Sequence, residues 1–535
     1  MLAFVRNCVI SFSMTYITIP IAAKTADSAG QQITKAAHAG AEILELRLDS
    51  LPQLNAENVS RLVAFAKATE LGVIATCRDN AEGGTGDWPQ DVRTRMLCEA
   101  IQAGADYVDC ELANYYDPAV REPIDKSLAG KPSCRLILSC HNFEGTFTDL
   151  TALYKEMADQ GGRVIPKLAY TAKHINDCFP AIDLLRTKDR DAIVICMGEA
   201  GYITRVLAKR FGSYLTFACL DEQCSTAPGQ VSIDELKNLY RWDSIGPNTR
   251  LFGVIGSPIA HSMSPPMFNA IFEHKNLDCL YLLLRVDGEM PEFAEFMDNI
   301  TDRERVGLID FGGFSVTLPH KAHAVDYAEE KGEYLEPLAA TIGAVNTLKV
   351  GVNGRVSGFN TDYAGALDAI TSTLGIERHG LHGKKVAVVG AGGVGRAVVA
   401  GLADVGAKIV IYNRTIQKAK DLAGEFHCKY AGLDELTDMD AEIIVNCTSI
   451  GMHPDVDSSP VPRECIKQGM VVFDTIYNPL ETKILQYARE AGAKTVSGAE
   501  MFVRQAMKQF KIYFGEEPPE QIMRKAVSER LGGEF

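Results

Sequence analysis

The sequence lacks any apolar run near the roughly 18 residues needed to span a bilayer, so no membrane-crossing helix is expected. It has no CxxC pair and no Cys/His group at metal-ligand spacing, so no metal site is expected. Positive charge is scarce. Fifty-four Lys and Arg against 69 Asp and Glu give a net charge of −15, the wrong sign for a nucleic-acid surface. A few local arginines can still hold a small anion, because distant charge is screened. Low-complexity and collagen-like tracts are absent, and 46% hydrophobic with 23% charged residues excludes a mainly disordered chain. What is present is length. At 535 residues the chain is too long for one core, so two large domains are expected. The 14 cysteines are scattered and sit mostly in apolar runs such as VIATCRD and IVICMG, reading as buried thiols of a cytoplasmic protein. Residues 1–14, MLAFVRNCVISFSM, read as an N-terminal extension, with a weak targeting peptide as the alternative.

Between residues 15 and 240, eight β-rich runs alternate with helix-period stretches. They are Tyr16–Ile21, Glu42–Leu48, Val73–Cys77, Tyr107–Leu112, Arg135–Cys140, Val164–Leu168, Ala192–Met197 and Tyr214–Cys219. That pattern predicts a (β/α)8 TIM barrel, with a doubly wound open sheet as the alternative. Residues 241–249 carry turn chemistry without apolar period and are expected to be a linker. A second α/β pattern follows, in two subdomains: 250–362, and a Rossmann subdomain over 363–513 that ends in a closing helix. A C-terminal helix is expected over 514–535. The Rossmann subdomain is signalled by Lys385-Val-Ala-Val-Val-Gly-Ala-Gly-Gly-Val-Gly-Arg396, a strand running into a glycine turn and then a helix.

In a barrel the C-terminal strand ends converge on one face. The polar residues there are Glu45 and Arg47, Arg78 and Glu82, His141, Lys167, Arg205, and the loop Ser225-Thr226-Ala-Pro-Gly-Gln230. A lone strand lysine usually snorkels or pairs with a carboxylate. Beside a histidine from the neighbouring strand, a desolvated amine becomes a candidate Schiff-base nucleophile and the imidazole its proton carrier. The arginines suit a carboxylate substrate. The segments ELRLD, CRDNAEGG, SCHNF, PKLAYTA, MGEAGYITR and STAPGQ give residues 15–240 a specific resemblance to the type I 3-dehydroquinate dehydratases. That resemblance implies an imine on Lys167, proton transfer by His141 and orientation of His141 by Glu82. It further implies a substrate carboxylate held by Arg205 and Gln230, with Glu45, Arg47 and Arg78 toward the ring hydroxyls. Thr226 stands where the family usually has serine, and keeps a hydroxyl.

In the second half, Gly390, Gly392, Gly393 and Gly395 let the chain turn beneath a pyrophosphate at a helix N-terminus. The next strand ends Asn413-Arg414-Thr415 with Lys418 one helical turn on, and has no carboxylate, which favours a 2′-phosphate and hence NADP. Lys321 and Asp362 are an ammonium and a carboxylate suited to proton relay at an alcohol. The serines Ser262 and Ser264 either cap a helix or bind substrate. GSPIAHSMSP, VTLPHK, GAVNT, GFNTD, VVGAGGVGRA, NRT, NCTSIGM and GAEMFVRQA make this half resemble the shikimate dehydrogenases. The resemblance implies a carboxylate site at Ser262, Ser264 and Tyr477, and hydroxyl contacts from Thr317, Asn346, Asp362 and Gln505. It places the nicotinamide beside Thr448, Ser449, Gly498 and Met501. Together the two resemblances imply a bifunctional enzyme of the shikimate pathway, as in the fused enzyme of plants. An NAD-linked catabolic quinate or shikimate oxidiser and a non-catalytic sensor of the same fold are the alternatives.

Overall fold

The computed structural model describes residues 14–221, 229–302, 309–533 and 535. The N-terminal extension, apart from Met14, and Thr226 therefore lie outside the described residues. The chain divides into two compact units, residues 1–249 with 284–287, and residues 250–283 with 288–535. No helix among the described residues is long and apolar enough to cross a membrane.

The first unit contains β1 (Tyr16–Ile21), β2 (Ile43–Arg47), β3 (Gly72–Thr76), β4 (Tyr107–Glu111), β5 (Arg135–Asn142), β6 (Val164–Thr171), β7 (Ile193–Met197) and β8 (Leu215–Cys219). Their spatial order is 7-6-5-4-3-2-1-8, and the ladders along it are parallel. Helices separate the strands in sequence, as the right-handed βα rule requires of neighbouring parallel strands. Ile43, Ile74, Ile137, Ile165, Ile193 and Leu215 pack together as one buried layer, one residue from each of six strands. This is a (β/α)8 barrel.

The seam between β7 and β8 is bridged by side chains as well as backbone. Tyr214 N–H donates to Ala192 O at 2.8 Å, closing the start of the seam. Farther along, Cys196 N–H donates to Thr204 Oγ1 at 3.0 Å and Thr216 Oγ1 donates to Arg205 O at 3.1 Å. The short helix Tyr202–Val206 thus fills the gap and carries Arg205 into the barrel mouth. A two-residue strand, Val231–Ser232, joins β8 at this side. It is too short to show in the sequence.

Residues 241–249, expected to be a linker, are folded. Trp242, Ile245 and Thr249 are each about 2% exposed. Lys209 Nζ donates to Trp242 O at 3.2 Å and Arg210 Nε to Thr249 O at 3.1 Å. Turn residues mark a change of direction, and here the turns are packed.

The second unit has two six-stranded sheets. The first is mixed, in the order Cys279–Arg285, Arg250–Gly256, Phe311–Val316, Thr347–Val350, Val356–Phe359, Tyr334–Leu335. The second is parallel: Lys429–Ala431, Lys408–Tyr412, Lys385–Val389, Ile443–Asn446, Val471–Asp474, Lys494–Val496. That is the 3-2-1-4-5-6 order of a dinucleotide-binding sheet, with its switch point between Lys385–Val389 and Ile443–Asn446. Tyr334–Leu335 and Lys429–Ala431 escape sequence reading because they are short and largely exposed.

The C-terminal helices depart from the simple two-part division. Val503, Ala506, Phe510 and Tyr513 of helix Gly498–Phe514 pack with Phe252, Phe268 and Phe272 beneath the mixed sheet. Met523 and Val527 of helix Glu520–Leu531 join the same cluster. The chain therefore leaves the parallel sheet and completes the core of the other subdomain. Gly365 makes this crossing possible: a Cβ there would stand 2.8 Å from Gln505 N and 2.9 Å from Met501 O.

Two candidate active sites

In the barrel, alternation along the strands turns Glu45, Thr76, Asp109, Glu111, Ser139 and Lys167 inward. Register sets Lys167 directly beside Ser139, with His141 two residues farther along β5 on the same face. Lys167 Nζ lies 2.8 Å from Asp109 Oδ2 and 3.8 Å from Glu45 Oε1, with the Phe217 ring 4.7 Å away. Arg78 reaches both Asp109 Oδ2 at 2.9 Å and Glu111 Oε1 at 2.8 Å, and Ser139 Oγ donates to Asp109 Oδ1 at 2.7 Å. Burial alone would raise the Asp109 carboxyl, but the Arg78 guanidinium and Lys167 ammonium outweigh it and hold it well below the usual carboxylate range. Lys167 is thus not simply desolvated, as the sequence suggested. It is held by a carboxylate.

His141 is tied to Glu82 twice, through Nδ1 at 2.9 Å and its backbone N–H at 3.0 Å, both to Oε2. Burial, then Arg78 and Lys167, push the imidazole well below its usual range, so it is neutral near pH 7. Burial pushes the Glu82 carboxyl up to about 7. Arg205 differs from the other cations. It is 2% exposed, its Nε has no partner, and it pairs with no carboxylate among the described residues. Burial lowers it only to about 10, so the charge persists. A buried unpaired guanidinium is costly unless an anion arrives. Glu45, Arg47, Arg78, Glu82, His141, Lys167, Arg205 and Gln230 line one cavity of about 100 Å³.

Sequence reasoning missed Asp109, Glu111 and Phe217, and it gave Ser139, a polar residue at the end of its strand, no role. The signal was available in Tyr107-Val-Asp-Cys-Glu111, where two carboxylates stand two apart in an apolar strand, as do Glu45 and Arg47.

The second site lies in a cavity of about 320 Å³ whose lining includes Ser262, Ser264, Thr317, Lys321, Asn346, Asp362, Tyr477, Gly498, Met501 and Gln505. Asn360 caps the helix Thr361–Leu374, accepting from Asp362 N–H at 3.0 Å and fixing Asp362 in its first turn. Lys321 opens the helix Lys321–Glu330, and its Nζ is 2.5 Å from Asp362 Oδ2. Asn346 Nδ2 donates to Asp362 Oδ1 at 2.8 Å, while its Oδ1 accepts from Thr361 N–H at 2.7 Å. Both carboxylate oxygens are thereby occupied. Ser262 Oγ accepts from Ser264 N–H at 3.3 Å, so this hydroxyl braces the turn while facing the cavity. Gln509, one turn beyond Gln505, was missed. Its amide donates to Asn346 O at 3.2 Å and accepts from Ser315 Oγ at 2.8 Å, supporting the cavity floor.

The glycine turn has the shape a dinucleotide requires. Gly390 has φ +111°, and a Cβ on Gly395 would stand 2.2 Å from Gly390 O. Gly392 and Gly393 are exposed with nothing near their missing Cβ positions, and no side chain caps the helix Gly393–Asp404 that they open. Its N–H groups are left for an anion. Asn413 is engaged at both ends: Oδ1 accepts from Ala391 N–H at 3.2 Å and Nδ2 donates to Thr415 O at 2.9 Å. Arg414, Thr415 and Lys418 are exposed, and neither cation has an ion-pair partner among the described residues. These features fit a nucleotide with a phosphorylated ribose. Thr448 and Ser449 stand across the switch point, where a Cβ on Gly390 would meet Thr448 Cγ2 at 2.9 Å.

Residues 17–247 match the type I 3-dehydroquinase family. Residues 254–348 match the shikimate dehydrogenase substrate binding domain, 374–482 the shikimate/quinate 5-dehydrogenase family, and 498–527 the shikimate 5′-dehydrogenase C-terminal domain. The chain is 35% identical over 529 residues to the chloroplastic bifunctional 3-dehydroquinate dehydratase/shikimate dehydrogenase of Arabidopsis thaliana, covering 96% of this chain and 84% of that one. It is 41% identical over 293 residues to the NADP(+) shikimate dehydrogenase of Methanosarcina mazei, covering 53% of this chain and 99% of the relative. Among solved structures, the Thermus thermophilus shikimate 5-dehydrogenase with NADP(H) and shikimate is 33% identical, covers 53% of this chain and all of its own, and has a TM-score of 0.46. Matched in order over both units, the chain belongs to the family of bifunctional 3-dehydroquinate dehydratase/shikimate dehydrogenases.

Proposed function

We propose that the barrel dehydrates 3-dehydroquinate through an imine on Lys167, and that the second unit reduces the resulting 3-dehydroshikimate to shikimate with NADPH. The observation that carries the first half is Arg205: a buried cation with no carboxylate partner among the described residues, at the mouth of a cavity that also holds an amine and a neutral imidazole. The substrate carboxylate supplies the missing anion, with Gln230 beside it. Lys167 then adds to the ketone and water leaves, giving an iminium. His141 takes a proton from the neighbouring carbon and returns it to the departing hydroxyl, and hydrolysis of the imine frees the product. The net loss is one water.

Glu82 sets which nitrogen of His141 is the base. When ionised it accepts from Nδ1–H and leaves Nε2 free. Because burial raises the Glu82 carboxyl to about 7, it gains a proton as the pH falls through that value and this orientation is lost. We expect dehydratase kcat/KM to fall on the acid side of about pH 7, and Glu82→Gln to show a lower, flat profile across that range. The same acid limb in the variant would assign it to another group.

In the second unit, Ser262, Ser264 and Tyr477 face the substrate carboxylate and Asn346, Thr317 and Gln505 the ring hydroxyls. NADPH, when bound, supplies hydride. Lys321 delivers a proton to the oxygen that becomes the hydroxyl, with Asp362 fixed by Asn346 to hold the ammonium in place. Arg414, Thr415 and Lys418 would hold the 2′-phosphate and Asn413 the turn beneath it. A fixed cation on a phosphate is worth about 1.5–3 kcal/mol, one to two decades. NADP is therefore expected to exceed NAD by at least about tenfold in kcat/KM, and Arg414→Ala to erode most of that margin. Asn413→Asp should reverse it further, by repelling phosphate and losing the bond to Thr415 O. Equal rates with the two coenzymes in the unsubstituted chain would contradict this reading.

A further inference from the structure

Asp474 ends the strand Val471–Asp474, next to the switch-point strand Ile443–Asn446 of the parallel sheet; it is fully buried and pairs with no cation among the described residues. It is held by three donors. Asn446 Nδ2 and Ile476 N–H donate to Oδ1 at 2.9 and 3.1 Å, and Thr482 Oγ1 donates to Oδ2 at 2.5 Å. Burial raises this carboxyl to about 6, which leaves it largely ionised near neutral pH. A buried charge without a counter-ion is expensive, so what it holds in place should matter.

It holds two loops. By fixing the Asn446 amide, it points Asn446 Oδ1 at Thr448, whose N–H and Oγ1 donate to it at 2.9 and 2.7 Å. Thr448 in turn packs against the glycine turn at Gly390. Through Ile476 and Thr482, the same carboxylate brackets the loop that carries Tyr477 into the substrate cavity. Two of the groups facing Asp474, the Asn446 amide nitrogen and the Ile476 N–H, can only donate, and both meet Oδ1. The Thr482 hydroxyl on Oδ2 can donate or accept, so asparagine can satisfy all three, whereas alanine leaves both obligate donors unanswered and the Asn446 amide without the partner that keeps it from turning over.

We propose that Asp474 is a positioning residue of the dehydrogenase, setting the Thr448–Ser449 loop for the nicotinamide cofactor through Asn446 while anchoring the Tyr477 loop on the substrate side. This rests on cofactor binding across the glycine turn as proposed above. The test is a double-mutant cycle on NADPH affinity, read by fluorescence titration of the full chain. Asp474→Ala and Thr448→Val should each weaken NADPH binding, the former by roughly tenfold, and Asp474→Ala should also raise the KM for shikimate, while Asp474→Asn should restore most of both. Because both act through Asn446, Thr448→Val should cost less than about twofold more in the Asp474→Ala background. Dehydratase activity of the same chains should be unchanged. If Asp474→Ala unfolds the dehydrogenase unit, Thr482→Val, which removes only the hydroxyl on Oδ2 and leaves the Asn446 contact, should raise the KM for shikimate with NADPH affinity unchanged, and an unchanged KM would overturn the proposal. Full additivity of the two substitutions, or unchanged NADPH affinity in Asp474→Ala, would overturn it as well. No NADPH binding by the unsubstituted chain would instead overturn the cofactor site itself, and this inference with it.

Discussion

Lys167→Ala is expected to abolish dehydration of 3-dehydroquinate, by on the order of 10⁴–10⁶-fold in kcat, the scale of removing a covalent nucleophile. The same chain should reduce 3-dehydroshikimate at the normal rate, since Lys167 lies within the other compact unit. Borohydride added with substrate should trap a stable amine on Lys167 in the unsubstituted protein, because a lysine imine is reducible there. His141→Ala should still be trapped, since that residue acts on the proton and not on the bond to nitrogen. Peptide mapping locates the adduct between Val164 and Lys173. Full dehydratase activity in Lys167→Ala would end the imine mechanism.

Lys321→Ala is expected to lower kcat for shikimate oxidation by about 10²–10⁴-fold, the usual contribution of a positioned acid–base group. KM should move far less. A residue that only binds a hydroxyl would show the reverse, a raised KM with kcat nearly intact. The 2.5 Å contact with Asp362 predicts that Asp362→Asn resembles Lys321→Ala in kcat, because either change breaks the same pair. Near-normal kcat in Lys321→Ala would return the lysine to substrate binding.

How much of this was legible in the sequence follows from the physics of each part. Apolar strand runs flanked by turns marked all eight barrel strands, because a parallel strand buried on both faces reads as a continuous run. The glycine turn was legible because Gly390 and Gly395 answer to backbone geometry that other residues cannot meet. Supporting residues were not. Asp109, Gln509 and Asp474 act through contacts with residues tens to hundreds of positions away, and local pattern carries no trace of such pairings. The destination of helix Gly498–Phe514 was hidden for the same reason. Its apolar face announces burial but does not say against which sheet. Residues 241–249 show the converse: turn chemistry without an apolar period suggested a linker, yet Trp242 and Ile245 within it are buried.

The most direct test of the whole account supplies the full chain with 3-dehydroquinate, with and without NADPH, and follows products and coenzyme together. Without NADPH, 3-dehydroshikimate should accumulate. With it, shikimate should appear with one NADPH oxidised per molecule formed, and Lys167→Ala should stop both while Lys321→Ala halts the reaction at 3-dehydroshikimate. Accumulation of quinate in place of shikimate, or dehydration that continues in Lys167→Ala, would contradict the account.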